Sequence, residues 1–181
     1  MIDFTLTPEQ QDLRKGARLF ASNVLSTAES LYSKHTTQSE RFRSILPIYQ
    51  TAVQNGLIKS QVPVALGGTN ESFLNAAIAV EEMFGANPSA TLTILGTALG
   101  LMPLIMSGNE KMQKKYLQAF LSGQGEPLAS LMHSEPGGTA NWMEKGGKGL
   151  QTVARREGRD WVVSGEKVGA LRLCPTSETT Y

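Results

Sequence analysis

The sequence predicts a mostly α protein, with an all-α body over residues 1–125 and the opening strands of a β domain over residues 126–167. Residues 168–181 form a tail that shows no strand alternation beyond Val168. Two observations carry this expectation. Up to about residue 121, apolar side chains recur at spacings of three and four behind recognisable helix starts. At Gly123–Glu126 that period stops, and short apolar and β-branched runs bounded by turn residues replace it. Two or three strands rarely stand alone in water, so the β portion reads as the incomplete start of a larger sheet.

Taken in order, Thr7-Pro8-Glu9-Gln10 is a helix start. The Thr7 hydroxyl can accept from orphan N–H groups, Pro8 sits where no N–H is needed, and Gln10 reaches back to close a capping box. Leu13, Ala17, Phe20, Ala21 and Val24 then make the inward stripe, with Asp12, Arg14, Lys15 and Arg18 outside, to about residue 30. Residues 33–39 read as a loop in which His35 is solvated. A short helix over 40–45 is broken by Pro47, resumes over 48–55 and stops at Gly56. GLIKSQVPVALGGTN (56–70) should run extended and turn sharply at Gly67-Gly68, which lack the following lysine of a phosphate loop.

Asn70-Glu71-Ser72 matches a glycosylation sequon but reads as the start of a helix over 71–84, ended by Gly85. Its inward positions are Phe73, Leu74, Ala77, Ile78 and Met83. The neighbouring Glu81 and Glu82 point in different directions on a helix, which favours solvated or cap-paired roles over acid–base chemistry. The uncharged stretch Pro88 to Met106 approaches bilayer length. Gly96, Gly100 and Pro103 interrupt it, hydroxyl side chains lie inside it and no basic cluster flanks it, so it is expected to be a core helix covered on several sides. Asn109 starts the next helix, with Met112, Tyr116, Leu117 and Phe120 inward and Lys111, Lys114 and Lys115 in water. Strands are expected over 128–133, 150–155 and 161–164, the last two joined by a hairpin connection at 156–160.

The 181 residues carry 17 lysines and arginines against 16 acidic residues, which leaves no electrostatic footprint for nucleic acid. The single cysteine, Cys174, allows neither an intramolecular disulfide nor a cysteine-based zinc site and suits a reducing compartment. The N-terminus shows no basic start followed by an apolar run, so no secretory signal is read. The expected setting is intracellular, cytoplasmic or peroxisomal, with a small-molecule substrate and no membrane partner.

The chemistry concentrates in LASLMHSEPGGTANW, residues 128–142. An apolar run (Leu128, Ala129, Leu131) enters, and then Ser134, Glu135, Pro136-Gly137-Gly138, Thr139 and Asn141 follow within a few residues. Pro136 fixes its φ, while Gly137 and Gly138 let a flat or anionic ligand approach the backbone, so the segment can serve as a ligand rim. An ordinary Pro-Gly-Gly turn would have the same composition. His133 and Glu135 could form half of a metal pair, but no third ligand is in view, and a hydrogen-bonded rim histidine is the reading preferred here.

The run SGQGEPLASLMHSEP, with a following glycine and TANW, then GLQT and SGEK, resembles the nitroalkane oxidases, flavoenzymes of the acyl-CoA dehydrogenase superfamily. IDFTL, GLIKSQVP, LGGT and GTALGLMP extend the likeness from Ile2 to Lys167. The resemblance implies an acyl-CoA dehydrogenase-type N-terminal helical domain, then the start of a β-barrel middle domain that binds FAD, in chains that assemble as homotetramers. It implies that Leu131, Met132, His133 and Ser134 line the flavin, with the Ser134 hydroxyl at the isoalloxazine edge, and that Thr139, Ala140 and Asn141 lie at the pyrophosphate end. The wider superfamily has Gly-Ser-Asp where this sequence has Thr139-Ala140-Asn141, which favours the nitroalkane oxidase form over an ordinary acyl-CoA dehydrogenase. Physically, a flavin that accepts electrons needs fixed hydrogen-bond donors where charge arrives.

Two departures shape the functional expectation. The superfamily has a tryptophan and then a hydroxyl residue at the positions that are Gly169 and Leu171 here. Its catalytic base, an aspartate in nitroalkane oxidases and a glutamate in most acyl-CoA dehydrogenases, comes from a C-terminal helical bundle that has no counterpart in these residues. No catalytic residue is therefore assigned, no metal is expected, and the chain alone is expected to be inactive. The alternatives are an acyl-CoA dehydrogenase and a non-catalytic helical fragment.

Overall fold

The computed structural model describes residues 5–136, 144–147 and 149–168. They fall into two compact units, residues 5–129 and 130–168. The first is helical. α1 (Pro8–Asn23) begins with the expected capping box: Thr7 Oγ1 accepts from Gln10 N–H, and Gln10 Oε1 accepts from Thr7 N–H. α1 ends sooner than its sequence suggested, because a 3-10 turn (Leu25–Thr27) tips the chain into the separate α2 (Ala28–Tyr32). That break drops Leu25 and Ala28 fully into the core. α3 (Gln38–Ser44) starts earlier than expected, since Thr37 and Glu40 form a second capping box. Pro47 opens α4 (Leu46–Gln54) rather than merely interrupting a helix, and Gly56 ends it at φ 77°.

The connection over residues 56–70 is not extended. It winds through two 3-10 turns, Lys59–Gln61 and Val64–Leu66, before Pro63 pairs with Asn70 in a single bridge. The two glycines there serve different ends. Gly67 sits at φ 89°, whereas a Cβ on Gly68 would stand 1.8 Å from the Val62 carbonyl oxygen. Ser72 caps α5 (Phe73–Ala86), which runs through Gly85, and Asn87 then ends α5 and caps α6 (Pro88–Met106).

The core joins Ala21, Leu25, Ala28, Ile48, Ala52, Val53, Ile58, Met83, Ala90 and Ile94, and a second cluster forms around Val62, Leu101 and Leu117. Each fully buried aliphatic side chain contributes about 1.5–3 kcal/mol. α1 packs along α5 and is tied to it by a two-pronged ion pair, Arg18 Nε and Nη2 to Glu82 Oε2 and Oε1 at 2.9 and 2.8 Å. Glu82 is thus paired across to α1, where a solvated or cap-paired role was expected.

Three expected burial patterns differ from the structure. On α5, Ile78 and Met83 are buried, but Phe73 is 83% exposed and Leu74 and Ala77 are also open. α1 and α6 cover only part of the circumference of α5, so the outer part of its wide apolar stripe stays uncovered. α6 is likewise one-sided. Ala90, Thr91, Ile94, Gly96, Thr97 and Leu101 are buried, while Leu92, Leu99, Met102 and Met106 face outward. By length and composition α6 could cross a membrane, yet its buried residues lie among α4 and α5.

On α7 (Glu110–Tyr116), Met112 and Tyr116 are exposed and Gln113 is buried instead. The Gln113 amide donates to the carbonyls of Leu104 and Ile105 at 3.2 and 2.9 Å, filling acceptors that the end of α6 leaves open. Leu117 and Phe120 do turn inward, ahead of and within α8 (Gln118–Leu121).

In the second unit the expected strand over 128–133 is absent. That segment is irregular, and the strands are β1 (Val153–Glu157) and β2 (Asp160–Ser164). They pair antiparallel from Val153 with Ser164 to Glu157 with Asp160, around a two-residue turn in which Gly158 has φ 63°. Both strands are exposed along their length among the described residues, and a lone hairpin of this kind gives little support for further pairing.

Candidate functional site

Four of the seven residues expected at a ligand rim, Leu131, Met132, His133 and Ser134, lie together on one irregular, exposed segment. Thr139, Ala140 and Asn141 lie outside the described residues, as do Gly137, Gly138, Gly169 and Leu171. The segment owes its conformation to Glu135, the buried residue that follows it, 6% exposed among open neighbours. The Glu135 carboxylate accepts from Gln151 N–H at 2.6 Å, from Thr152 N–H at 3.0 Å and from Lys167 Nζ at 2.8 Å. The Lys167 ammonium, then the Gln151 N–H, hold the carboxyl down at about 2, well below the ordinary 4.5. Its charge is therefore committed to the backbone and to Lys167.

Lys167 also donates to the His133 carbonyl at 3.0 Å, and Val168 N–H donates to the Ser134 carbonyl at 2.9 Å. Ser134 is thus flanked on both sides by groups tied to the chain after β2. Gly165 makes this approach possible, since a Cβ there would lie 2.4 Å from Thr152 Oγ1. What the segment leaves available is a set of donors. Among the described residues, the N–H groups of Leu131, Met132 and Ser134 and the Ser134 hydroxyl have no hydrogen-bond partner, beside the exposed side chains of Leu131 and Met132. Apolar surface beside fixed neutral donors fits the face and edge of a heteroaromatic ring such as a flavin.

Sequence reasoning noted Glu135 and the SGEK run but did not connect them. The available signal was a carboxylate before Pro-Gly and a lone lysine after a hairpin, which is too general to pair without coordinates. Sequence reasoning also missed a cleft of about 150 Å³ in the helical unit, formed by Phe42, Ile45, Leu46, Tyr49, Thr93 and Leu128, with Arg43 and Glu126 in its wall. Two polar groups lining it are already engaged: Gln50 donates to Glu126, and the Tyr49 hydroxyl donates to the Pro127 carbonyl.

A family model described as the acyl-CoA dehydrogenase N-terminal domain matches residues 7–124. The chain belongs to the acyl-CoA dehydrogenase family. Within it, the chain is 53% identical over 168 residues to a nitroalkane oxidase of Fusarium oxysporum, covering 93% of this chain and 38% of that one. A nitroalkane oxidase active-site mutant crystallised with 1-nitrooctane superposes with a TM-score of 0.87 at 53% identity, over 92% of this chain and 39% of that one. An acyl-CoA dehydrogenase from Bacillus anthracis complexed with FAD superposes at 0.71 and 25% identity, over 92% of this chain and 27% of that one. The chain thus spans about two fifths of the length of the nitroalkane oxidases it matches. These matches agree with the resemblance drawn from the SGQGEPLASLMHSEP run, and with a mostly α fold of the acyl-CoA dehydrogenase N-terminal type.

Proposed function

We propose that this chain supplies the helical domain and the flavin-facing edge of an FAD-dependent oxidoreductase of the nitroalkane oxidase type. The observation that carries this reading is the row of unpartnered donors at Leu131, Met132 and Ser134, presented beside apolar side chains on a segment fixed by Glu135. Bound there, FAD would act as the acceptor of electrons from a small substrate. The chain's own contribution is to hold the ring edge with neutral donors, which needs no titrating residue and leaves the redox step insensitive to the ionisation of the rim. By the same resemblance, Thr139, Ala140 and Asn141 would hold the pyrophosphate end.

A relative crystallised with 1-nitrooctane and 53% identity over most of this chain favour a nitroalkane as the substrate class. Thr139-Ala140-Asn141 in place of the superfamily's Gly-Ser-Asp points the same way. A homotetramer and an intracellular setting belong to the same proposal.

The test is an amide-resolved titration of the 181-residue chain with FAD, which registers weak as well as tight binding. Shifts centred on residues 131–134 are expected. Shifts scattered over the helical unit, or none, would remove the flavin reading. In the full-length protein, nitroethane set against a short acyl-CoA as the electron donor to bound FAD then decides between the two substrate classes.

A further inference from the structure

The ammonium of Lys167 makes two bonds that straddle one residue. It lies 3.0 Å from the carbonyl of His133 and 2.8 Å from the carboxylate of Glu135, so Ser134 is held between two anchors of the same side chain. A third tie, from Val168 N–H, reaches the Ser134 carbonyl itself at 2.9 Å. Glu135 is in turn set against the chain before β1 through the N–H groups of Gln151 and Thr152. The path therefore runs from the start of β1, through a buried carboxylate, to Lys167 just beyond β2, and then to the backbone on both sides of Ser134. Irregular segments ordinarily drift, because each backbone residue left free keeps its conformational entropy. Here the chain flanking the paired strands supplies the anchors, and Lys167 links them to the segment.

We propose that Lys167 is a positioning residue: by gripping His133 and Glu135 together, it fixes the direction in which the Ser134 N–H and hydroxyl are presented to the flavin. This inference rests on the flavin reading given above and deepens it. Lys167 touches neither ring nor substrate in this account. It acts by removing the freedom of residues 133–135, so that the donors at Ser134 are in place before the ring arrives and binding does not have to order them. The buried carboxylate makes the device specific. A neutral side chain at 135 could not hold the ammonium in the same place, and a shorter side chain at 167 could not reach both acceptors.

The test compares the parent 181-residue chain with Lys167→Met, Lys167→Arg and Glu135→Gln, by amide exchange and by FAD titration read at the Met132 and Ser134 amides. The amides of Arg155 and Val162, a hydrogen-bonded pair in the alternation set by the two-residue turn, report whether the hairpin survives. For Lys167→Met we expect intact hairpin protection, exchange at Val168 N–H faster by about tenfold, and FAD affinity lower by about tenfold. Lys167→Arg should recover most of that affinity, because its guanidinium can bond two acceptors at once. If the hairpin melts in Lys167→Met, Glu135→Gln is read in its place, with the same direction expected at Val168 and in affinity.

A variant that loosens Val168 yet binds FAD within twofold of the parent overturns the inference, and so does a Lys167→Arg chain no better than Lys167→Met. Absence of FAD binding by the parent chain overturns the flavin reading first and this inference with it. The two failures are therefore distinguishable.

Discussion

The Tyr49 hydroxyl carries a single proton and faces two oxygens, Thr97 Oγ1 at 2.8 Å and the Pro127 carbonyl at 2.7 Å. A carbonyl can only accept, so Tyr49 donates to Pro127 and Thr97 must donate to Tyr49. This chain of two bonds joins α4, α6 and the segment that leads out of the helices toward residue 130. Tyr49→Phe keeps the ring packing and removes both bonds. Each polar group left without a partner costs about 1–3 kcal/mol. The Pro127 carbonyl is half-buried and can take water, and the Thr97 hydroxyl can turn onto the carbonyl one helical turn back, so both costs fall low in that range.

The expected loss is about 1.5–3 kcal/mol, or roughly 4–10 °C in Tm for a chain of this size. Thr97→Val should cost about 1 kcal/mol or less, because Tyr49 keeps its acceptor and only one bond is lost. Urea titrations of the two single variants and the double variant measure both terms and their coupling. Burial raises the phenol to about 12, so the stabilisation is intact below the ordinary 10.0 and disappears as the pH climbs through 12. Loss of the Thr97 bond, which opposes that rise, should push the phenol higher still. Equal costs for Thr97→Val and Tyr49→Phe, or a Tyr49→Phe cost under about 0.5 kcal/mol, would refute the assignment of donor and acceptor.

Three further outcomes follow from single contacts. Gly68→Ala should destabilise by about 3 kcal/mol or more, because its Cβ meets backbone that cannot yield, while Gly67→Asn should be tolerated far better, since asparagine accepts a left-handed φ. Thermal melts of the two variants side by side test the contrast. Gln113→Leu should cost about 1–3 kcal/mol despite its added apolar surface, because the Leu104 and Ile105 carbonyls lose their donor, and urea unfolding measures it. The anchoring by Glu135 should be fully present above pH 4.5 and fade as the pH falls toward 2. The unfolded carboxyl takes its proton first while the folded one, held by Lys167, resists. The Glu135 carboxyl carbon shift should report a midpoint near 2 in the parent chain, and a midpoint near 4.5 would sink that assignment.

How much of this was legible beforehand depended on the range of the interaction. Thr7 with Gln10 and Ser72 before α5 act within one helical turn, and the helix starts they mark were read correctly. Asn87 did the same for α6. Stripes failed where they depended on a neighbour. Phe73 and Leu74 have the spacing of buried residues, but only a second surface can bury them, and α1 does not extend that far across α5. Gln113 takes the inward place expected of Met112 and Tyr116, because its acceptors, the Leu104 and Ile105 carbonyls at the end of α6, come from a different helix.

The same distinction explains what was and was not visible at the rim. Leu131 to Ser134 could be singled out because their chemistry is written in consecutive residues and their likeness to a flavoenzyme segment is specific. What holds them could not, because Glu135 and Lys167 are separated by a hairpin whose register must be known before either can be assigned to the other. The strand expected over 128–133 shows the cost of that gap. Its short apolar run has the composition of a buried strand, whereas the end of the segment is fixed by the Lys167 ammonium on the His133 carbonyl and the Glu135 carboxylate and by the Val168 N–H on the Ser134 carbonyl. A strand at that place would spend the N–H groups of residues 131–134 on a neighbour. Held instead from behind, through carbonyls and a side chain, the segment keeps the Leu131, Met132 and Ser134 donors for a ligand, so the irregular conformation is itself the feature that suits a binding edge.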